Sequence, residues 1–380
     1  MSAIAYPELP PPARPGDPLS AVDTPALLLD LDAFERNLDR LQAAANAAGI
    51  ALRPHAKAHK CPAVALAQIA RGAVGICCQK VSEALPFLRA GITDIHISNE
   101  IALHPAKARL LAQMARHGRF SVCVDHAAQV ALLADAAAEA GSRLGVFIEV
   151  DIGQGRCGLP ADAGAVQALL ELVAARGEQL AFRGLQAYHG GIQHLRGHAE
   201  RREAAARAAA RVAALRDALL TAGLPCPVIT GGGSGSAEFD LGSGVFTELQ
   251  AGSYAFMDGD YGNNEYAGTL RYEHALFLAT RVMSLGSDGT RCILDAGLKS
   301  LAVDSGLPRV WDAPGLDYTA ANDEHGIVRG SADALPALGT LLRLVPGHCD
   351  PTLNLHDQIV AYRGERVEAI WPIAARGLSR

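Results

Sequence analysis

Over about two hundred residues, short apolar runs with β-branched content alternate with Ala-, Leu- and Arg-rich stretches, and no other feature restricts the fold as much. The runs are Ala26 to Leu31, Ala51 to Lys57, Val74 to Cys78, Ile95 to Ser98, Phe120 to Asp125, Leu144 to Val150, Phe182 to Tyr188 and Pro227 to Thr230. Each has the length of a buried strand, and the stretches between them, such as Ala127 to Ala140 and Glu200 to Ala222, carry apolar residues at helical spacing. Asp30, ahead of Leu31 and Asp32, supplies a cap-type carboxylate where the first helix should start. Eight βα units predict a (β/α)8 barrel over residues 26–260, with its active site at the C-terminal ends of the strands.

After Tyr254 the pattern changes to strand-like pieces, Ala275 to Val282, Arg291 to Leu294, Leu341 to Val345 and Ile359 to Tyr362, separated by Gly, Pro and Asp turns. These predict a second, smaller, mostly-β domain over residues 261–380. Residues 1–25, with Pro10-Pro11-Pro12, Pro15 and Pro18, read as an extended arm joined to it.

A formal charge of −6 with no clustered basic surface argues against a nucleic-acid partner. No apolar stretch reaches the roughly twenty residues of a membrane span. The eight cysteines are scattered, with no CxxC pair, and the start of the chain lacks the layout of a signal peptide, so a reducing, cytoplasmic location is expected.

Chemistry-bearing residues gather where the predicted strands end. Arg53-Pro54-His55-Ala56-Lys57-Ala58-His59-Lys60 packs cationic and titratable groups into eight residues. It reads either as a solvated basic rim or as a lysine whose desolvation favours the neutral amine that carbonyl chemistry needs, with Lys57 as the candidate. Thr230-Gly231-Gly232-Gly233-Ser234-Gly235-Ser236 is either a turn or a phosphate cradle, since glycines let backbone N–H groups approach an anion. Gly252-Ser253-Tyr254 would add amides and a phenol hydroxyl to that cradle, or form a tight turn over a core tyrosine. Arg156 offers a permanently charged fork for a phenolate or carboxylate, or a rim ion pair. His348 and Asp350, two apart, would share one face of an extended strand. They read as ligands of Mn²⁺, Mg²⁺ or Zn²⁺ with open positions, or as a plain hydrogen-bonded pair.

Taken in order from about Thr24 to Arg380, seven blocks closely resemble the D-threonine aldolases, which are alanine-racemase-like (fold type III) pyridoxal-phosphate (PLP) enzymes. The blocks are Arg53 to Lys60, Gly75 to Ala84, Gly153 to Gly158, Leu185 to Gly190, Thr230 to Ser236, Leu249 to Asp258 and Val345 to Thr352. The resemblance implies a homodimer, PLP bound to Lys57 and a divalent cation, Mn²⁺ first, held by His348 and Asp350. It implies that Gly233, Ser234, Gly252, Ser253 and Tyr254 hold the phosphate, that Arg156 faces the O3′ oxygen and that Tyr188 lies near the ring. Gln250 stands where racemases of this fold carry an arginine facing the pyridine nitrogen.

The implied reaction is Cα–Cβ scission of D-threonine and related small β-hydroxy-D-amino acids to glycine and an aldehyde. His59 is the candidate general base, with a plain structural histidine as the other reading. The nearest alternative is a metal-dependent dehydratase of D-serine or 3-hydroxy-D-aspartate, or an aldolase of the latter. The dehydratases of this resemblance carry a cysteine in place of Asp350, so that position favours the aldolase. A PLP-carrier protein without turnover and a racemase are further rivals.

Overall fold

The protein is described by a computed structural model covering residues 9–268 and 270–380. Its strands fall into two sheets. The first runs, in spatial order, Ala51–Leu52, Glu248–Leu249, Val228–Gly231, Leu180–Ala187, Leu144–Asp151, Arg119–Val124, Asp94–Ile97 and Ile76–Cys78. All of these neighbours pair in parallel. A parallel bridge between His55 and Cys77, with Val74 N–H donating to the Leu52 carbonyl, joins the last strand to the first and closes the barrel. Helices cover its outside, and alanines such as Ala108, Ala112, Ala134 and Ala137 are buried against the strands, the small side chains letting helix and sheet approach closely.

One expectation fails here. Ala26–Asp30 is a strand, but it lies in the second sheet, antiparallel to Leu276–Leu285 and parallel to Gln358–Arg363. The barrel's eighth strand is the two-residue Glu248–Leu249 instead. Leu27, Leu28 and Leu29 are all fully buried, so both faces of the strand are covered, and a run apolar on both faces fits either sheet. Burying each leucine is worth about 1.5–3 kcal/mol, which makes this strand a main tie between the chain's start and its end.

The second sheet continues outward from Leu276–Leu285 through Arg291–Leu294, Gly326–Arg329 and Asp317–Ala321, and on the other side from Gln358–Arg363 to Arg366–Pro372. Leu341–Val345 also pairs with Leu276–Leu285 and carries Arg309–Val310 at its edge. The arm follows the sheet: Gly16 N–H donates to the Val367 carbonyl at 2.8 Å and Leu19 N–H to Glu365 at 3.0 Å. The first residues of the expected arm, 1–8, lie outside the described residues. Asp30 caps helix Leu31–Ala48 by accepting from Ala33 N–H at 3.1 Å, as its position before the helix predicts. That helix carries the chain from the second sheet to the first barrel strand.

The barrel interior is polar rather than oily. His96 bonds Ser121 Oγ at 3.0 Å and Gln186 Oε1 at 3.3 Å, and Gln186 exchanges hydrogen bonds with Gln250. Gln250 Nε2 also donates to Thr230 Oγ1 at 2.8 Å, and Thr230 donates to Glu248. Below them the buried Arg53 guanidinium lies 2.7 Å from Asp94 and 2.9 Å from Glu248. Each side chain has a hydrogen-bond or ion-pair partner, so the network can stay buried and hold one arrangement of side chains.

Candidate active site

A crevice of about 140 Å³ opens at the C-terminal ends of the barrel strands, and its walls include Lys57, Arg156, Tyr188, Gln250, Gly233, Ser234, Gly252 and Ser253. Those eight residues, scattered over two hundred positions, are brought together there.

Lys57 lies in the short 3₁₀ turn Ala56–Ala58 that follows the first barrel strand. His55 caps the turn: its Nδ1 accepts from Lys57 N–H at 3.3 Å, so its Nε2 carries the proton toward Gln79 Oε1 at 3.0 Å and Ser98 Oγ at 2.9 Å. Burial, with Lys57 adding to it, holds His55 well below its ordinary pKa, so the ring is neutral. Lys57 Nζ stands 3.9 Å from Asp350 Oδ2. The side chain keeps 42% of its surface, but that surface faces the crevice rather than open water. Burial pulls the amine's pKa down, and the Asp350 carboxylate, helped by Tyr188, pushes it up by more. The expected shift toward a neutral amine is therefore reversed: in this arrangement Lys57 is an ammonium.

The glycines of the cradle are required by space. A Cβ on Gly233 would stand 2.6 Å from Gln193 Oε1, and one on Gly252 2.8 Å from the His55 carbonyl. Gln193 shapes the loop from beneath, its Oε1 accepting from the N–H groups of Gly235 at 2.9 Å and Ser236 at 3.2 Å. The amides of Ser234, Gly252 and Ser253 donate to no protein acceptor among the described residues. Free amides around a space closed to side chains, with a lysine on the same crevice, fit a phosphate-bearing aldehyde such as PLP.

Tyr254 contributes less than expected. Its N–H donates to Ser234 Oγ at 2.9 Å, but its hydroxyl accepts from Gln68 Nε2 at 3.2 Å in the core, where the ring is 1% exposed. The phenol belongs to the packing, not to the cradle. Arg156 lies 5.4 Å above the Tyr188 ring and 3.8 Å from Glu149 Oε1. Burial and the neighbouring Glu100 carboxylate push Glu149 up to about 8.

His59 does not line the crevice. It is wholly buried, edge-on to Phe87 and Phe256 with ring centroids at 6.0 and 6.4 Å, and its Nδ1 accepts from Cys61 N–H. Burial lowers its pKa to about 4. A neutral ring enclosed by phenyl groups cannot collect protons from a substrate, so the structural reading of His59 replaces the general-base one.

His348 and Asp350 are not on an extended strand. His348 is the N-cap of the short helix Cys349–Leu353, and Asp350 sits in its first turn. Asp258, completely buried, holds that helix start by accepting from Cys349 N–H at 2.8 Å and from Tyr261 N–H at 3.0 Å. His348 Nδ1 lies 2.7 Å from Asp304 Oδ2. Burial lowers the His348 pKa, and Asp350 and Asp304 together raise it by more. No cluster of three or more His, Cys, Asp or Glu side chains with metal-ligand geometry occurs among the described residues. A cation held by His348 and Asp350 would have positions left for water or substrate, and an imidazole with a carboxylate suits Mn²⁺, Mg²⁺ or Zn²⁺.

Asp304, and Ser98 and Tyr261 in the crevice wall, escape sequence reasoning. Asp304 lies 44 positions from His348 in an unremarkable Asp-Ser-Gly turn. Ser98 is visible only as the last residue of a strand run, and Tyr261 only as part of a mixed polar loop.

Two family models match the chain: "Alanine racemase, N-terminal domain" over residues 29–260 and "Putative serine dehydratase domain" over residues 275–362. The chain is 56% identical to the D-threonine aldolase of Arthrobacter sp. over 376 residues, covering 98% of this chain and 97% of that one. It is 44% identical to the 3-hydroxy-D-aspartate aldolase of Paracoccus denitrificans over 373 residues, covering 96% and 95%. The crystal structure of the D-threonine aldolase from Filomicrobium marinum superposes with a TM-score of 0.94 at 48% identity, covering 97% of this chain and all of that one.

Proposed function

Since the chain belongs to the D-threonine aldolase family of alanine-racemase-like enzymes, we propose that it is a lyase splitting D-threonine and related β-hydroxy-D-amino acids between Cα and Cβ into glycine and an aldehyde. The observation that carries the reading is the 3.9 Å separation of Lys57 Nζ and Asp350 Oδ2. One small amino acid can touch both, its nitrogen and Cα beside the lysine and its β-hydroxyl beside the carboxylate.

PLP would supply the sink for the electron pair left on Cα, and a divalent cation would lower the pKa of the β-hydroxyl as it does that of bound water. Lys57 would hold the cofactor, with the free amides of Ser234, Gly252 and Ser253 at its phosphate and the Arg156 fork at its phenolate oxygen. Gln250, whose Nε2 already donates to Gln186 and Thr230, would present a neutral amide toward the ring nitrogen. His348 and Asp350 would hold the cation, Mn²⁺ foremost, with Asp304 fixing the imidazole through Nδ1. Lys57 Nζ would be the group of this chain placed to return a proton to Cα. With this reading go a homodimer and a cytoplasmic location; for the latter, all eight cysteines are free thiols.

Incubation of the purified protein with PLP, Mn²⁺ and D-threonine, followed by identification of the products, tests the proposal. Glycine and acetaldehyde are expected. A keto acid with ammonia would replace it with the dehydratase, and D-to-L conversion without carbon loss with a racemase.

A further inference from the structure

We propose that the buried Lys60 ammonium, by bonding Asn354 and Glu83 at once, is the positioning element that fixes the Asp350 helix against the Lys57 turn. The inference rests on the reading of Lys57 and Asp350 given above. Lys60 is 6% exposed and takes a left-handed backbone conformation, φ 49°, that a lysine rarely adopts. Its Nζ donates to Asn354 Oδ1 at 2.9 Å and to Ser379 Oγ at 2.7 Å, and lies 3.2 Å from Glu83 Oε1. These three acceptors match the three donors of an ammonium.

Each acceptor belongs to a different part of the molecule. Asn354 is the C-cap of helix Cys349–Leu353, which carries Asp350. Glu83 stands in the first turn of helix Val81–Arg89, and its Oε2 accepts from the N–H groups of Gln79 and Lys80, both at 3.1 Å. Gln79 in turn bonds His55, which caps the Lys57 turn. Ser379 belongs to the tail, where Ala375 N–H donates to the Lys60 carbonyl at 3.0 Å. One charge therefore links the amine-bearing turn of the barrel to the helix of the second sheet that faces it. An unpaired ammonium at this depth is costly, so the geometry is held tightly.

Asn354→Ala removes the link to the Asp350 helix while leaving Lys60 its Glu83 partner; Asn354→Asp restores an acceptor of the same shape. Two measurements are made on wild type and both variants. Free Mn²⁺ is titrated by electron paramagnetic resonance in PLP-loaded protein, with cofactor occupancy checked by borohydride trapping. Amide exchange over residues 349–353 is followed in the absence of metal. In Asn354→Ala the Mn²⁺ dissociation constant should rise about tenfold at unchanged PLP occupancy, and Asn354→Asp should return it to near the wild-type value. Exchange over residues 349–353 should quicken about fivefold or more in Asn354→Ala. An unchanged Mn²⁺ constant in Asn354→Ala, or equal weakening in both variants, overturns the proposal. If the wild type traps PLP but takes up no Mn²⁺, the metal assignment falls, and the exchange measurement alone decides the role of Lys60: unaltered exchange refutes it.

Discussion

Gly252→Ala isolates the steric argument for the cradle. Gly252 has φ −123°, outside the left-handed region that favours glycine, so the case for glycine here is one of space. What it meets is the chain that carries the lysine: its Cβ would stand 2.8 Å from the His55 carbonyl and 3.2 Å from the Ala58 Cβ, where ordinary contact begins at 3.4 Å. The 3₁₀ turn bearing Lys57 must therefore retreat by roughly half an ångström, and overpacking of this size costs about 1–3 kcal/mol. At 1.4 kcal/mol per factor of ten, PLP affinity should fall by about 5- to 140-fold if the strain is relieved in the cofactor-free protein. Titration of the apo-protein with PLP, followed by absorbance, gives that ratio, and a melting curve of the apo-variant shows how much of the cost falls on folding instead. A variant with PLP affinity within twofold of wild type and an unaltered melting temperature would refute the claim that only glycine fits.

Exhaustive chelation with EDTA should abolish lyase activity while the cofactor's absorbance band stays, and full activity after chelation would remove the metal role. Asp304→Ala should weaken Mn²⁺ binding about 10- to 100-fold by freeing the His348 ring, measurable by the same titration of free cation, and unchanged affinity would count against the orientation argument. His59 has a folded pKa of about 4, below the ordinary value near 6.5, so the folded state binds fewer protons than the unfolded state between those limits. Stability is then fully present above pH 6.5 and is lost as the pH falls toward 4. Between pH 6.5 and 5 this one residue should remove about 1.5 kcal/mol, and urea unfolding of wild type and His59→Leu at the two pH values should give a shallower loss in the variant.

The barrel is legible because its strands and helices alternate with distinct periods, and the cofactor crevice because Lys57, Arg156 and the two glycine turns all fall at strand ends. Ala26–Asp30 misleads because a run apolar on both faces states that a strand is covered, not which sheet covers it. Glu248–Leu249 hides for the opposite reason: two residues carry no period at all. The histidines of Arg53 to Lys60 look equivalent in the sequence, yet one faces the crevice and another the phenyl rings of the core. That difference follows from the 3₁₀ turn, which no spacing rule fixes in so short a segment. Asp304 and Asn354 act through partners on other elements, and such contacts become visible only once the sheets are assembled.

The sheet that carries the Asp350 helix takes one strand from the start of the chain and others from its last third. Leu27 is matched with Leu278 and with Ile359, so a growing polypeptide must wait for more than three hundred residues to leave the ribosome before that strand is flanked on both sides. Until then a fully apolar Leu-Leu-Leu segment stays available to other hydrophobic surfaces. Slow refolding and a demand for chaperones during overproduction should follow from that order of synthesis, and an isolated 261–380 fragment, deprived of its central strand, should not fold.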